Sequence, residues 1–244
     1  MTRFLTILAF TLCIALPAQA QDFSSAQKEQ IKQLFEDYLM NNGELIVDSV
    51  NLYQTEQEQK DREAANVKAK AFMEKLKKDD NFPTAGNKKG DITLIEFFDY
   101  NCGYCGRALD ALVEVLETEK NLNVIFLDMP ILGPNSMEAS KWSIAAHKQG
   151  KYFDFHRQLM NVRGPKNEAA VEKIAKNLEL DMKQLRKDKD SSEIADWLNE
   201  NVEQASAMNV RGTPGFIIDG TMYPGYMPAE RIFEILKEIR AARG

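Results

Sequence analysis

The stretch Leu94-Ile95-Glu96-Phe97-Phe98-Asp99-Tyr100-Asn101-Cys102-Gly103-Tyr104-Cys105 decides how the rest of the chain is read. Residues 92–98 form a compact apolar run broken only by Thr93 and Glu96, which predicts a buried strand. Residues 108–119 carry apolar side chains at helical spacing, so the cysteine pair falls at a strand-to-helix turn, with Cys102 at the N-terminus of the helix. There the unpaired backbone N–H groups and the positive end of the helix dipole favour a thiolate, the attacking species in disulfide exchange. Cys105, one turn further in, is placed to attack a mixed disulfide on Cys102 and release what is bound there. Half of a zinc site has the same Cys-x-x-Cys spacing; the strand-to-helix context is what favours redox chemistry.

Working outward, residues 124–127 read as a second buried strand, completing a βαβ unit. Residues 81–90, broken by Pro83, Gly86 and Gly90, read as a linker before it. After it, residues 136–208 read as helical throughout, punctuated at Gly150, Gly164-Pro165 and Asp181. Phe216-Ile217-Ile218 and Thr221-Met222-Tyr223 flank Asp219-Gly220, a two-residue hairpin signal, and residues 228–243 close the chain as a helix. The expected order is therefore β-α-β, several helices, then β-β-α.

Upstream, residues 24–78 are polar and helical, with a stop at Asn41-Asn42-Gly43. Ile31, Leu34, Phe35, Tyr38 and Leu39 share one helical face. A second element carries Leu45, Ile46, Val50 and Tyr53, passes through the polar run 54–62, and resumes with Ala65, Ala69, Phe72 and Leu76. Such narrow stripes suit packing against other helices, either in another copy of the chain or in the body of the same one; self-association is the favoured reading. Residues 1–20, with Arg3, an apolar run and Ala18-Gln19-Ala20, read as a cleaved export signal. That segment carries Cys13, leaving Cys102 and Cys105 as the only pair, which closes too small a loop to brace a secreted fold. Removing Arg3 with it takes the net charge from −6 to −7, which argues against nucleic acid and anionic membrane surfaces as partners.

The quoted stretch resembles the active-site strand of the DsbA-like thioredoxin-fold family of bacterial exported proteins, and Gly212-Thr213-Pro214-Gly215-Phe216 resembles that family's cis-proline loop. The resemblance implies an α/β thioredoxin fold with an inserted helical domain, preceded by an N-terminal helical oligomerisation stalk. The implied domains are a signal peptide over 1–20, a stalk over 21–80 and a catalytic domain over 81–244, with the insertion at about 136–208. On base rates alone the Thr213-Pro214 bond is trans; the resemblance implies that it is cis, lies opposite the cysteines and leaves the Thr213 backbone free to pair with an extended client. It also implies an active-site role for Glu96: a carboxyl buried there would have its proton affinity raised by desolvation and could accept the proton of Cys105.

Between the cysteines stand Gly103 and Tyr104, neither charged, so the expected thiolate is less extreme than in dedicated oxidases. Cys-Gly-Tyr-Cys, with threonine before the proline, is similar to disulfide isomerases of the bacterial envelope. The N-terminal layout resembles the stalk of the suppressor-of-copper-sensitivity C proteins (ScsC), which form trimers. The resemblance thus implies a periplasmic, homotrimeric disulfide isomerase without a cofactor, acting on unfolded or misfolded exported proteins and kept reduced by a membrane-bound partner. Two other readings stay open: a dithiol oxidase, and an envelope protein binding copper or zinc. The two histidines, His147 and His156, are nine residues apart and not at ligand spacing, which favours ordinary core or surface roles.

Overall fold

The structure, a computed structural model, describes residues 22–79 and 81–244. The expected signal segment, with Cys13, lies outside the described residues. Contacts divide the chain into two compact units, Met1–Gln57 and Glu58–Gly244.

In the first unit α1 (Ser25–Asn41) starts from a capping box, in which the Ser24 hydroxyl accepts from the Gln27 N–H and the Gln27 side chain accepts from the Ser24 N–H. The chain breaks at Asn42 and re-enters α2 (Gly43–Leu76), as the Asn-Asn-Gly signal predicts. The apolar stripe stays open: Ile31, Leu34, Phe35, Tyr38, Leu45, Ile46, Val50 and Tyr53 are each between 45% and 71% exposed.

The second unit begins at Glu58 rather than at residue 81, because the later part of α2 belongs to its core. Ala69, Phe72, Met73 and Leu76 are buried with Ile95, Phe97, Ile125 and Leu127, and the Phe72 ring stacks on Phe97 at 6.4 Å. The upstream and downstream stripes of one continuous helix thus have different fates: the second covers the body of its own chain, the first is uncovered. The expected linker also holds a strand, β1 (Thr84–Gly86), paired antiparallel with β3 (Leu122–Asp128). Gly86 permits this approach: its φ is +78° and a Cβ there would lie 2.4 Å from the Leu122 carbonyl oxygen.

The sheet runs β1-β3-β2-β4-β5, with β2 (Ile92–Phe98) at its centre, parallel to β3 and antiparallel to β4 (Gly215–Ile218), which pairs in turn with β5 (Thr221–Pro224). Every residue of β2 and β3 is buried, as the largely apolar, non-alternating runs predict when both faces are covered. Ile92, Leu94 and Phe98 face a core with α3 (Gly103–Thr118), α9 (Ala229–Arg243) and the insertion; Ile95 and Phe97 face the core that α2 completes. Asp219 (φ +50°) and Gly220 (φ +85°) make the predicted tight hairpin. The insertion is α4 (Pro134–Lys148), α5 (Tyr152–Met160), α6 (Glu168–Asn177), α7 (Met182–Lys189) and α8 (Ser192–Ala207). Gly150 and Gly164 turn the chain between its helices with positive φ, and Asp181 caps α7. The α/β thioredoxin-type architecture expected from the quoted stretch is what the chain adopts, with α1 and α2 ahead of it.

Candidate active site

Cys102 is the N-cap of α3, in extended conformation, and its N–H donates to the Asp99 carbonyl at 3.1 Å. Both cysteines are thiols. Cys102 keeps 9% exposure, and its thiol donates to the Thr213 carbonyl oxygen at 3.3 Å. That contact joins two loops 111 residues apart in sequence. The Thr213-Pro214 bond is cis, with Pro214 buried and its carbonyl accepting from the Gly225 N–H at 3.0 Å. Alongside lies a groove of about 580 Å³ lined by Ala65, Met208, Val210, Thr213, Pro214 and Met222, among others. Gly103 and Tyr104 open α3 at the surface; the Tyr104 ring is 58% exposed, 6.2 Å from that of Tyr226, with the Arg107 guanidinium 5.2 Å above it.

Cys105 is fully enclosed, and burial pushes its thiol well above the usual range, with Cys102 and Glu96 adding to the effect. Glu96 is on the face of β2 that α3 covers, 1% exposed, and neither carboxyl oxygen has a hydrogen-bond partner among the described residues. Burial holds its carboxyl well above the usual carboxylate range; the neighbouring Cys102 and Asp128 push the same way. The residues singled out from the sequence are therefore brought together: Cys102, Gly103, Tyr104 and Cys105 on one turn, Thr213 and Pro214 against Cys102, Glu96 within electrostatic reach of both sulfurs.

Sequence reasoning missed the polar groups that frame this turn. Asp99 is fully buried and accepts from three backbone N–H groups: Asn101 at 2.7 Å on one oxygen, Ile131 and Leu132 at 2.9 Å each on the other. It ties the cysteine turn to the loop after β3. Removing the carboxylate in Asp99→Ala leaves three donors unmatched, an expected loss of about 3 kcal/mol or more in urea unfolding; a loss under about 0.5 kcal/mol would mean the tie does not matter. Asp128, at the end of β3, is also fully buried; it accepts from the Tyr152 hydroxyl at 3.2 Å, and burial raises it to about 7. The signal available was a carboxylate closing each of two apolar runs, at 92–99 and at 122–128.

The histidines are elsewhere. His156 is buried in the core against Tyr100, with Nδ1 2.9 Å from the hydroxyl, and His147 Nε2 lies 2.7 Å from the Asn81 carbonyl oxygen. Among the described residues no group of three or more His, Cys, Asp or Glu side chains is arranged to hold a metal ion.

Residues 93–239 match the family described as the DSBA-like thioredoxin domain. The chain belongs to that family. Residues 27–60 match the copper resistance protein ScsC N-terminal domain. A thioredoxin-like oxidoreductase from Silicibacter pomeroyi is 34% identical, with 68% of this chain covering 96% of that one at a TM-score of 0.64. Proteus mirabilis ScsC in a transitional conformation is 26% identical, with 89% of this chain covering 96% of that one at a TM-score of 0.63. The family and the fold are those of DsbA- and ScsC-like thiol-disulfide oxidoreductases, as the two sequence motifs imply. Among curated relatives, a Na(+)/H(+) antiporter NhaA from Salinispora arenicola is 28% identical over 142 residues, 57% of this chain; the match spans only 22% of the antiporter's length. Among the described residues no helix is long and apolar enough to cross a membrane.

Proposed function

We propose that the protein is a periplasmic disulfide isomerase and reductase working through Cys102 and Cys105. The observation that carries the chemistry is the single contact of the Cys102 thiol with the Thr213 carbonyl, at the head of α3 and over the buried Cys105. A client sulfur joined to Cys102 would put its own chain along the Thr213-Pro214 loop, where backbone pairing reads no particular side chain. That suits unfolded or misfolded exported proteins of many sequences. Glu96, Gly103, Tyr104, Thr213 and Pro214 support the pair. The uncharged Gly103-Tyr104 insert favours a protein that reshuffles bonds and is reset by a membrane-bound reductant over a strong oxidase. Residues 1–20 would direct export of the chain and be cleaved from it.

The exposed stripe on α1 and the first half of α2 supports self-association, as a trimer, through the segment upstream of the catalytic unit. Eight large apolar side chains left bare on two helices are a pairing surface. Several cysteine pairs around one client raise the effective concentration of the second attack, which is what shuffling needs.

The test is recovery of activity from scrambled ribonuclease. The reduced wild-type protein is expected to restore it, and a Leu34→Glu, Phe35→Glu double variant, monomeric by mass in solution, is expected to keep simple disulfide reduction while losing most of the shuffling. No recovery with the wild type would overturn isomerisation and leave a dithiol oxidase; equal recovery with a monomeric variant would remove the stalk from the mechanism.

A further inference from the structure

The insertion and β3 bring a second carboxyl to the core beneath the cysteine turn. Glu96 pairs in register with Phe126, and Phe98 with Asp128, so Glu96 and Asp128 project from the same face of two parallel strands, one residue pair apart. Their Cα atoms are then roughly 8 Å apart, within reach of two extended carboxyls or of one bridging water. Each is buried, and three of the four carboxyl oxygens, both of Glu96 and Oδ1 of Asp128, have no hydrogen-bond partner among the described residues. The fourth, Asp128 Oδ2, is held by Tyr152, while Asn201 donates to the Asp128 carbonyl at 3.3 Å. Two buried carboxyls this near each other disfavour each other's ionisation, and Asp128 adds to the raised proton affinity of Glu96.

Resting on the proposed thiol exchange, we infer that Asp128 is the proton acceptor behind Glu96, so that closure of the Cys102–Cys105 bond moves a proton through Glu96 onto Asp128. Cys105 gives up its proton as its sulfur attacks Cys102 in the mixed disulfide; the client sulfur leaves with the bonding pair and takes a proton from water. Burial favours the protonated form of Glu96, and in that form it receives the proton of Cys105 on one oxygen by passing its own from the other to ionised Asp128. The Cys102–Cys105 pair is oxidised, the client disulfide is reduced, and the relay returns its proton when the pair is next reduced. Asp128 acts through Glu96 and never on the sulfurs.

The electrostatics agree with this division. Burial raises both carboxyls, Asp128 to about 7, so near neutrality Asp128 is the poised acceptor, while burial and the neighbouring Cys102 and Asp128 favour the protonated form of Glu96. The groups acting on the Asp128 carboxyl are Asp99 and Tyr100 from the turn after β2, Ser140 from α4 and Tyr152 from α5, while Asn201 from α8 donates to its backbone carbonyl. Burial raises the proton affinity of Asp128 most, Ser140 and Tyr152 lower it, and Asp99 raises it.

The experiment follows release of a peptide thiol from a mixed disulfide preformed on Cys102, as a function of pH. In the wild type the rate is expected to rise through an inflection near 7. Asp128→Asn, which keeps the acceptor for Tyr152, is expected to lose that inflection and fall at least about tenfold in mildly alkaline buffer, less than the ~10²-fold of a directly acting base. Tyr152→Phe is expected to move the inflection to higher pH without removing it. An unchanged inflection in Asp128→Asn, or a loss equal at every pH, overturns the relay. Should that variant not fold, the oxidised-minus-reduced infrared spectrum of wild-type protein with carbon-13-labelled aspartate decides: a new labelled protonated-carboxyl band on oxidation supports the relay, and none overturns it. If the wild type exchanges no disulfides at all, the proposed function itself has failed, a result separable from a normal wild type with an indifferent Asp128→Asn.

Discussion

Serine in place of Cys102 is expected to abolish thiol-disulfide exchange, a drop of at least ~10³-fold, while Cys105→Ser leaves a protein that captures clients and cannot let them go. The asymmetry comes from where the two sulfurs sit. Cys102 retains some exposure, caps α3 and donates its thiol to the Thr213 carbonyl. Cys105 is enclosed, with a thiol pushed up by burial, and ionises only when a disulfide is presented to it and a carboxyl can take its proton. A hydroxyl at 102 stays protonated at any physiological pH and cannot form the mixed disulfide. A hydroxyl at 105 permits that bond and blocks its resolution. Turnover of a small disulfide peptide and a non-reducing gel read the two variants: Cys102→Ser should give neither turnover nor adduct, Cys105→Ser an adduct that accumulates and dissolves in reductant. Residual exchange in Cys102→Ser would place the attacking sulfur elsewhere.

What could be read from the residues was whatever depends on local order along the chain. The burial of β2 follows from an apolar run without alternation, the Asp219-Gly220 turn from two residues that tolerate positive φ, and the position of Cys102 from a strand pattern giving way to a helical one. The small strand at Thr84–Gly86 was not legible, because its partner is β3 and its cause is the close approach that Gly86 allows, a fact about two segments. The same holds for α2. Its downstream stripe, Ala69 to Leu76, and its upstream one, Leu45 to Tyr53, look alike as periodicity; only the sheet face behind the first distinguishes a helix that packs on its own body from one that is bare. Asp99 and Asp128 escaped notice for a related reason: a carboxylate at a strand end is ordinarily wet, and each is dry here because the insertion, at α4 and α5, closes over the end of the sheet. His156, set aside as an ordinary histidine, is part of that closure.

Protonating His156 as the pH falls is expected to cost stability, and His156→Phe should make the protein more resistant to acid than the wild type. The ring is fully buried, stacks on Tyr152 at 5.5 Å, lies edge-on to Phe98 at 4.6 Å, and has Nδ1 beside the Tyr100 hydroxyl, which is itself 2.6 Å from Ser143 Oγ. Its Nε2 has no hydrogen-bond partner among the described residues, and burial lowers its pKa from 6.5 to about 3. A group whose folded pKa is depressed in this way contributes stability above its unfolded pKa and loses it as the pH falls toward the folded one. The window is therefore about 6.5 down to 3, and the loss across it is at most roughly 5 kcal/mol. Asp128, raised from 3.8 to about 7, and Glu96, also raised by burial, work in the opposite sense and gain stability as the pH falls, so in the wild type they offset the histidine's loss. Phenylalanine at 156 gives up the contact with Tyr100, expected to cost about 1–2 kcal/mol at neutral pH, but leaves nothing to protonate. Between neutral pH and about pH 4 the urea midpoint should therefore change in the stabilising direction in the variant relative to the wild type, because only the variant keeps the carboxyl gains without the histidine's loss. An equal change between the two pH values in both proteins would mean that protonation of His156 does not reach the fold, and that the neutral imidazole under the cysteine turn is packing alone.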